Sequence, residues 1–542
     1  MNKYKKGTRN WFKIILLLAC LIACTWVGLE IKGIHDLLYK KYSVTFYDDK
    51  DKKIIKIEQK LIDYDQIKDV LPMIQAVSSK EMENQLNQEG LFATTYSSLF
   101  MNEEEEIASY YNHQYFGGGM MGIATAADYL FQKDIQQLET SEWIYLLALV
   151  DGKKELVTEE TANINTYIKK VNDELLRKKI LTTSEVTKVE GEIPTLIQTT
   201  NDQPIAEWYS YFDLVLSEAA YVEGVSEQEL LKDHIKLYTE LDSNLQKKTF
   251  DTFQVNENFP ESVHVENPIE GSMIVIDHTT GGVKALVGGR NPFGFIQNQA
   301  TELKRPPAST FKPLVVFAPA MEAGWKASDE LKDVPLQLED FKPKNHDKSY
   351  RIKVTLEQAI VQSLNVPSVW LLDQIGLQTG IDYLRKFQLF TYHPLDEYRV
   401  ALGFLREGTS PYQLAQAYTA FPNEGKMKTG HALKQVEGEH VRFEVESEQR
   451  EIYTKETAEA TLDLLKKVVE EGTAQRAKLP NTITYGKTGT TSYDGWFVGI
   501  SSKYTAAVWV GTQRQASGLE QEVAGGSAPA EIYKKIMTTD SK

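Results

Sequence analysis

Five side chains in the C-terminal half of the chain have the types and spacing for acyl transfer. Ser309 and Lys312 stand three apart in Ser309-Thr310-Phe311-Lys312. On a helix, residues i and i+3 share a face, so the hydroxyl and the amine can meet. A serine hydroxyl is a poor nucleophile until a base takes its proton. A lysine serves as that base when burial and nearby cations lower its pKa. Pro306-Pro307 just upstream fits a tight entry to a helix N-terminus, where free N–H groups are available to an oxyanion. Ser363-Leu364-Asn365 adds a hydroxyl that can pass a proton and an amide that can hold a substrate amide. Lys487-Thr488-Gly489 follows the apolar strand signal Ile483-Thr484-Tyr485. On a strand, Lys487 and Gly489 point one way and Thr488 the other, and the glycine leaves space for a close backbone approach.

Each motif alone has an ordinary reading: a solvated helix face, a helix cap or turn, a polar edge strand. Grouping changes that. Ser363 follows Ser309 by 54 residues and Lys487 follows Ser363 by 124, all within one stretch of domain size.

The elements that must position them are legible from hydrophobic pattern. Residues 272–277 and 283–287 read as strands around the hairpin signal Thr279-Thr280-Gly281-Gly282. Helical patterning dominates from residue 309 to about 418. Residues 483–485, 495–501 and 504–510 read as consecutive antiparallel strands, and 534–537 belong to a last short helix. Strands at both ends with helices between predict an α/β (α+β) domain whose antiparallel sheet joins distant segments. Upstream, 43–47 and 54–57 read as short strands around the turn Asp48-Asp49-Lys50-Asp51. Residues 124–131, 142–150 and 167–180 read as helices within a mostly helical stretch from 107 to about 188. The polar, proline-containing run 199–204 looks like a break, 207–245 returns to helical and mixed patterning, and Phe259-Pro260 and Asn267-Pro268 mark a boundary.

The chain of 542 residues, 42% hydrophobic and 25% charged, has globular composition with apolar residues enough for more than one core. A net charge of −16 argues against a nucleic-acid partner, which wants a basic face. Cys20 and Cys24 both lie in the N-terminal apolar run, so no disulfide or cysteine metal site can serve the rest. Nine scattered histidines form no ligand spacing, and no metal or organic cofactor is expected. Lys3, Lys5, Lys6 and Arg9 precede an apolar stretch from Ile14 to about Ile31. That length spans a bilayer as one helix, and the basic flank keeps the short tail cytoplasmic with everything downstream outside. Leu21-Ile22-Ala23-Cys24 also resembles a lipoprotein processing box, which would leave a lipidated Cys24 instead.

The order S-x-x-K, S-x-N, K-T-G is the signature set of penicillin-binding proteins and serine β-lactamases. The chain resembles the class A penicillin-binding proteins further, in Ala285-Leu286-Val287-Gly288-Gly289-Arg290, Lys304-Arg305-Pro306-Pro307-Ala308, Asn365-Val366-Pro367, Glu471-Gly472-Thr473-Ala474 and Trp496-Phe497-Val498-Gly499. The resemblance covers 271–537. It implies D,D-transpeptidation of peptidoglycan stem peptides, with Ser309 as nucleophile, Lys312 as proton acceptor and Ser363 as proton relay. It implies Asn365 on the peptide, and Lys487, Thr488 and Thr490 on the terminal carboxylate beside Gly489. The backbone N–H groups of Ser309 and Thr490 would form the oxyanion hole, and β-lactams would acylate the same serine.

Upstream, residues 111–119, 122–127 and 138–149 resemble the later part of the family's peptidoglycan glycosyltransferase domain. Its first motif, E-D-x-x-F-x-x-H-x-G, is best matched at 81–90. Glu81 and Gly90 fit, but Met82, Gln85 and Gln88 replace the expected Asp, Phe and His. The family's G-G-S-T-I-T-Q-Q segment and its R-K-x-x-E motif are absent. Glycosyl transfer wants an acid and a base across the donor, so Glu81 is expected to be an inactive remnant. The acidic run 103–106 reads as a solvated helix N-terminus.

The expected layout is a cytoplasmic tail (1–10), a transmembrane helix (11–31), and a truncated, degenerate glycosyltransferase-like domain (42–198). A linker region (199–268) and the transpeptidase domain (269–540) follow. A separate glycosyltransferase or other cell-wall synthesis protein is the implied partner. A β-lactamase or β-lactam sensor, a D,D-carboxypeptidase and a scaffold for another synthase share the motifs and stay open at this point.

Overall fold

Two five-stranded sheets organise the computed structural model, which describes residues 41–77, 101–154, 163–191 and 205–538, apart from 265, 266, 295, 296, 339, 514, 516 and 519. In chain order their strands are β1 (Ser43–Tyr47), β2 (Lys53–Glu58), β3 (Lys236–Thr239), β4 (Ile269–Asp277), β5 (Val283–Val287), β6 (Leu433–Glu437), β7 (Arg442–Glu444), β8 (Tyr485–Thr490), β9 (Asp494–Ile500) and β10 (Tyr504–Thr512).

The larger sheet runs β8-β9-β10-β4-β5, antiparallel throughout. Every residue of β4, β5 and β9 is buried. Runs such as Met273-Ile274-Val275-Ile276 can sit there because both faces are covered, which removes the need for apolar–polar alternation. The sequence-distant pairing expected of this domain is present: β10 lies against β4 with Trp509 opposite Ser272. The 309–418 stretch is mainly helical as read, but a two-stranded ribbon, Glu330–Asp333 with Ile352–Thr355, interrupts it.

The smaller sheet runs β7-β6-β3-β1-β2. It joins the expected N-terminal hairpin to strands from far downstream. The helices upstream are α1 (Glu103–Asn112), α2 (Ile123–Phe131), α3 (Thr140–Lys154) and α4 (Ile164–Arg177). The acidic run 103–106 forms the first turn of α1. Asn102 and Glu105 close a capping box there, where negative charge is favourable.

The stretch expected as a linker region is folded wherever it is described. It holds α5 (Ile205–Glu223), β3 and α6 (Ser243–Gln254). Tyr211 on α5 donates to Val283 O (2.6 Å), and the Gln246 amide on α6 bonds Leu286 at both its N–H and C=O. Glu218 on α5 accepts from the N–H groups of Ala432 (2.7 Å) and Leu433 (2.9 Å) at the start of β6. The prolines that mark the boundary in sequence report local turns, whereas packing carries these helices into the core of the C-terminal domain. The expected transmembrane segment and Glu81 lie outside the described residues. Among those described, no helix is long and apolar enough to cross a membrane.

Candidate active site

Ser309 sits in one tight turn. Residues Ala308–Phe311 form a 3-10 turn, with the Lys312 N–H bonded to Ser309 O. Pro313 has no N–H, so the regular α ladder cannot pick up Ser309 O next. The backbone widens over Pro313–Phe317 before an α-helical turn at Ala318–Glu322. Ser309 and Lys312 still share a face, because i and i+3 eclipse in a 3-10 turn. Ser309 is half-buried and keeps an open side, whereas Lys312 has no exposed surface.

Two glycines shape this turn. Ala308 is left-handed (φ +51°), uncommon for a residue with a Cβ. Gly403 packs so close that a Cβ there would stand 2.1 Å from Ala308 O. A Cβ on Gly489 would stand 2.6 Å from Pro307 O. The close backbone approach that the sequence suggested at Gly489 is made by the chain entering the Ser309 turn.

The three motifs converge. The Lys312 amine donates to Ser363 O (2.8 Å), Leu364 O (3.1 Å) and Asn365 Oδ1 (2.8 Å). Lys487, also without exposed surface, donates to Ser363 Oγ (2.8 Å) and Thr488 O (3.0 Å). Ser363 adopts φ +56°, a strained conformation of the kind that gathers at functional sites. Burial pushes the Lys312 amine well below the usual lysine range, and the nearby Lys487 charge pushes it further. Burial brings Lys487 down to about 7. Both shifts favour the neutral amine of Lys312 over its ammonium. Once it takes a proton, three oxygens already surround the ammonium.

The far side of the cleft is β8, an edge strand paired only with β9 in its sheet. Thr488 Oγ1 and Thr473 Oγ1 lie 2.7 Å apart, and Thr490 Oγ1 accepts from the Gly525 N–H (3.0 Å). Thr488 points away from Lys487, as the strand alternation predicts.

Sequence reasoning assigned no role to several residues that shape the cleft. Thr473 fixes a hydroxyl of the K-T-G strand. Arg305 donates to Thr512 O (3.2 Å) and Gln513 O (2.6 Å), and stands 3.7 Å from buried Asp494, fastening the approach to Ser309 onto the sheet. Asn345, 2% exposed, bonds the S-x-N loop. The Arg305 and Thr473 segments carried the family resemblance, which was a signal, but Asn345 had none. Away from the cleft, Asp233, Glu439 and His440 bring potential ligand atoms within 4.8 Å of one another. Asp233 already accepts the N–H groups of His440 (2.9 Å) and Val441 (3.1 Å), which makes it a turn clamp.

Comparisons with known proteins point to one family. A family model described as the penicillin binding protein transpeptidase domain matches residues 271–538. A transglycosylase model matches 72–176, so that region is present, though short. The chain is similar to penicillin-binding protein 1F of Bacillus subtilis, 32% identical over 455 residues, covering 81% of this chain and 62% of that protein. It is also similar to penicillin-binding protein 2a of Streptococcus pneumoniae, 28% identical over 470 residues with the same two shares, 81% and 62%. The chain thus spans somewhat less than two thirds of these relatives. Penicillin-binding protein 1A from Haemophilus influenzae has the same fold (TM-score 0.55, 16% identity, 92% of each chain covered). So does PonA1 of Mycobacterium tuberculosis, solved with penicillin V (TM-score 0.52, 19% identity, 61% of this chain and 94% of that one). Transglycosylase and transpeptidase regions in that order, on this fold and with this cleft, make the chain a member of the class A penicillin-binding proteins.

Proposed function

We propose that the protein is a peptidoglycan D,D-transpeptidase. The observation that carries the reading is the convergence of two buried lysines, Ser363 and Asn365 behind a half-open Ser309. Ser309 Oγ attacks the carbonyl between two terminal D-alanines as its proton passes to Lys312. The backbone N–H groups of Ser309 and Thr490 hold the developing oxyanion. Asn365 holds the stem peptide, and Lys487, Thr488 and Thr490 receive its terminal carboxylate. Ser363, bonded to Lys487, relays a proton to the departing D-alanine. The amine of a second stem then takes the acyl group from Ser309, forming the cross-link and regenerating the hydroxyl. A β-lactam enters the same cleft and stays on Ser309. Given a pentapeptide stem and an acceptor amine, the protein should release D-alanine in step with cross-linked product, and Ser309→Ala should form neither. Release of D-alanine to water alone would make it a carboxypeptidase instead.

The transglycosylase region serves, in this reading, as a pedestal without glycosyl transfer. What supports that is Met82, Gln85 and Gln88 in the first motif and the missing second carboxylate motif. A separate glycosyltransferase then supplies the strands. The basic, apolar N-terminus anchors the chain in the bacterial membrane with the cleft outside. Purified protein given lipid-linked disaccharide should make no glycan, and glycan synthesis that depends on Glu81 would overturn this half.

A further inference from the structure

We infer that Asn345 is a positioning residue for acylation at Ser309, setting the S-x-N loop through a buried relay from Asp333. This rests on the transpeptidase reading above and extends it to a residue outside the three motifs.

The helix that begins at Asn365, α7 (Asn365–Ile375), has no cap of its own. Its N-cap residue is Leu364, whose side chain accepts nothing. Asn345, twenty residues upstream, does the capping from a separate strap. Its Oδ1 accepts from Asn365 N (3.0 Å) and Val366 N (3.0 Å), satisfying two of the N–H groups a helix start leaves open. Its Nδ2 donates to Asp333 Oδ1 (2.7 Å) and Ser349 O (2.8 Å). The amide can face only one way, since a flip would set donors against donors and acceptors against acceptors at all four contacts. Asp333 has no exposed surface. Its second oxygen accepts from Arg351 N (3.0 Å) and lies 3.5 Å from the Arg351 guanidinium.

The strap reaches the chemistry twice. Asn345 bonds the backbone of Asn365, and the neighbouring Lys344 C=O accepts the Asn365 side-chain Nδ2 (2.8 Å). That second bond turns Asn365 Oδ1 toward the Lys312 amine. Two further acceptors of that amine, Ser363 O and Leu364 O, belong to the same loop. Ser363 itself holds φ +56°, which persists only where neighbours enforce it. Asn345 therefore fixes, at one remove, three oxygens around the proposed base and the hydroxyl that meets Lys487.

The test is acylation by a fluorescent penicillin, resolved into a binding constant and a first-order acylation rate, with full-length protein. Asn345→Asp keeps the shape and the acceptors but faces Asp333 with a second carboxylate. It should lower the acylation rate at least tenfold, change penicillin affinity less than threefold, and move the pH midpoint of the acylation rate. The pair Asp333→Asn with Asn345→Asp restores the donor–acceptor contact between 333 and 345, though not the one to Ser349 O, and should recover at least threefold of the rate lost in Asn345→Asp. Asn345→Ser, a smaller change, covers the case in which Asn345→Asp does not fold, and should show the same selective loss of rate. Folded Asn345 variants that acylate at the wild-type rate and with the wild-type pH profile overturn the inference. So does equal loss of affinity and rate that follows stability alone. Failure of the wild-type protein to take penicillin at Ser309 would sink the transpeptidase reading instead.

Discussion

The buried lysines give the cleft a pH dependence that can be read separately for its two jobs. Burial lowers Lys487 to about 7, so its ammonium is present below that value and is lost above it. Carboxylate binding should follow the ammonium. Penicillin affinity is expected to weaken as pH rises through about 7, while the acylation step declines only on the acid side, where Lys312 is protonated. Stopped-flow acylation across pH measures both. The same shift bears on stability. Between about 7 and the ordinary lysine value of 10.5, the unfolded chain binds the Lys487 proton and the native state does not, so this residue makes stability rise with pH over that window. Glycine packing gives a second prediction. Gly403→Ala puts a Cβ 2.1 Å from Ala308 O at a residue with φ +71°. It should cost about 1–3 kcal/mol of stability and, by displacing the nucleophile turn, slow acylation by on the order of a hundredfold. Thermal melts and acylation rates check the two effects. Ser309, Lys312, Ser363, Asn365 and Lys487 were legible because their types imply the chemistry and their order implies a family. Asn345 was not, since a single amide in a polar strap has no period and no partner visible along the chain.

Elements were legible where periodicity is strong. The hairpin of β4 and β5, the three C-terminal strands and the upstream helices fall where the pattern put them, shifted by a few residues at their ends. What pattern could not give is which strand edge receives a distant segment. Nothing local says that β3 pairs with β6, or that α5 pins β6 through one carboxylate. Glu218 on α5 makes that junction testable. Removing it in Glu218→Ala leaves two backbone N–H groups without their acceptor, at a cost of about 2 kcal/mol or more. Burial raises the Glu218 carboxyl to about 7. The native state then holds its proton more tightly than the unfolded chain, whose carboxyl titrates near 4.5. Its contribution is full below about 4.5 and is lost as pH rises through 7. Glu218→Gln should flatten the fall of melting temperature with pH in that window. A slope unchanged from wild type would place the raised carboxyl elsewhere.

At the scale of the whole molecule, the chain pairs a transpeptidase domain with a short transglycosylase region. The two are not beads on a string. The hairpin of β1 and β2 shares a sheet with β6 and β7, and buried Lys284 bonds Glu240 (2.6 Å) and stands 3.5 Å from Asp49 of the N-terminal hairpin. The sequence suggested separate units because turn residues punctuate it near 199–204 and 259–268, yet the hydrophobic core runs across those marks. An N-terminal hairpin built into the fold in this way should be required for it. Deleting residues 41–77 removes two strands of the smaller sheet and is expected to abolish the cooperative melt of the C-terminal domain, as calorimetry would record. The central claim, that Ser309 is the acylated nucleophile, is tested most directly by mass spectrometry of the penicillin-treated protein. The account predicts one penicilloyl adduct, on the peptide containing Ser309, absent from Ser309→Ala. An adduct on another residue, or none from a folded protein, would contradict it.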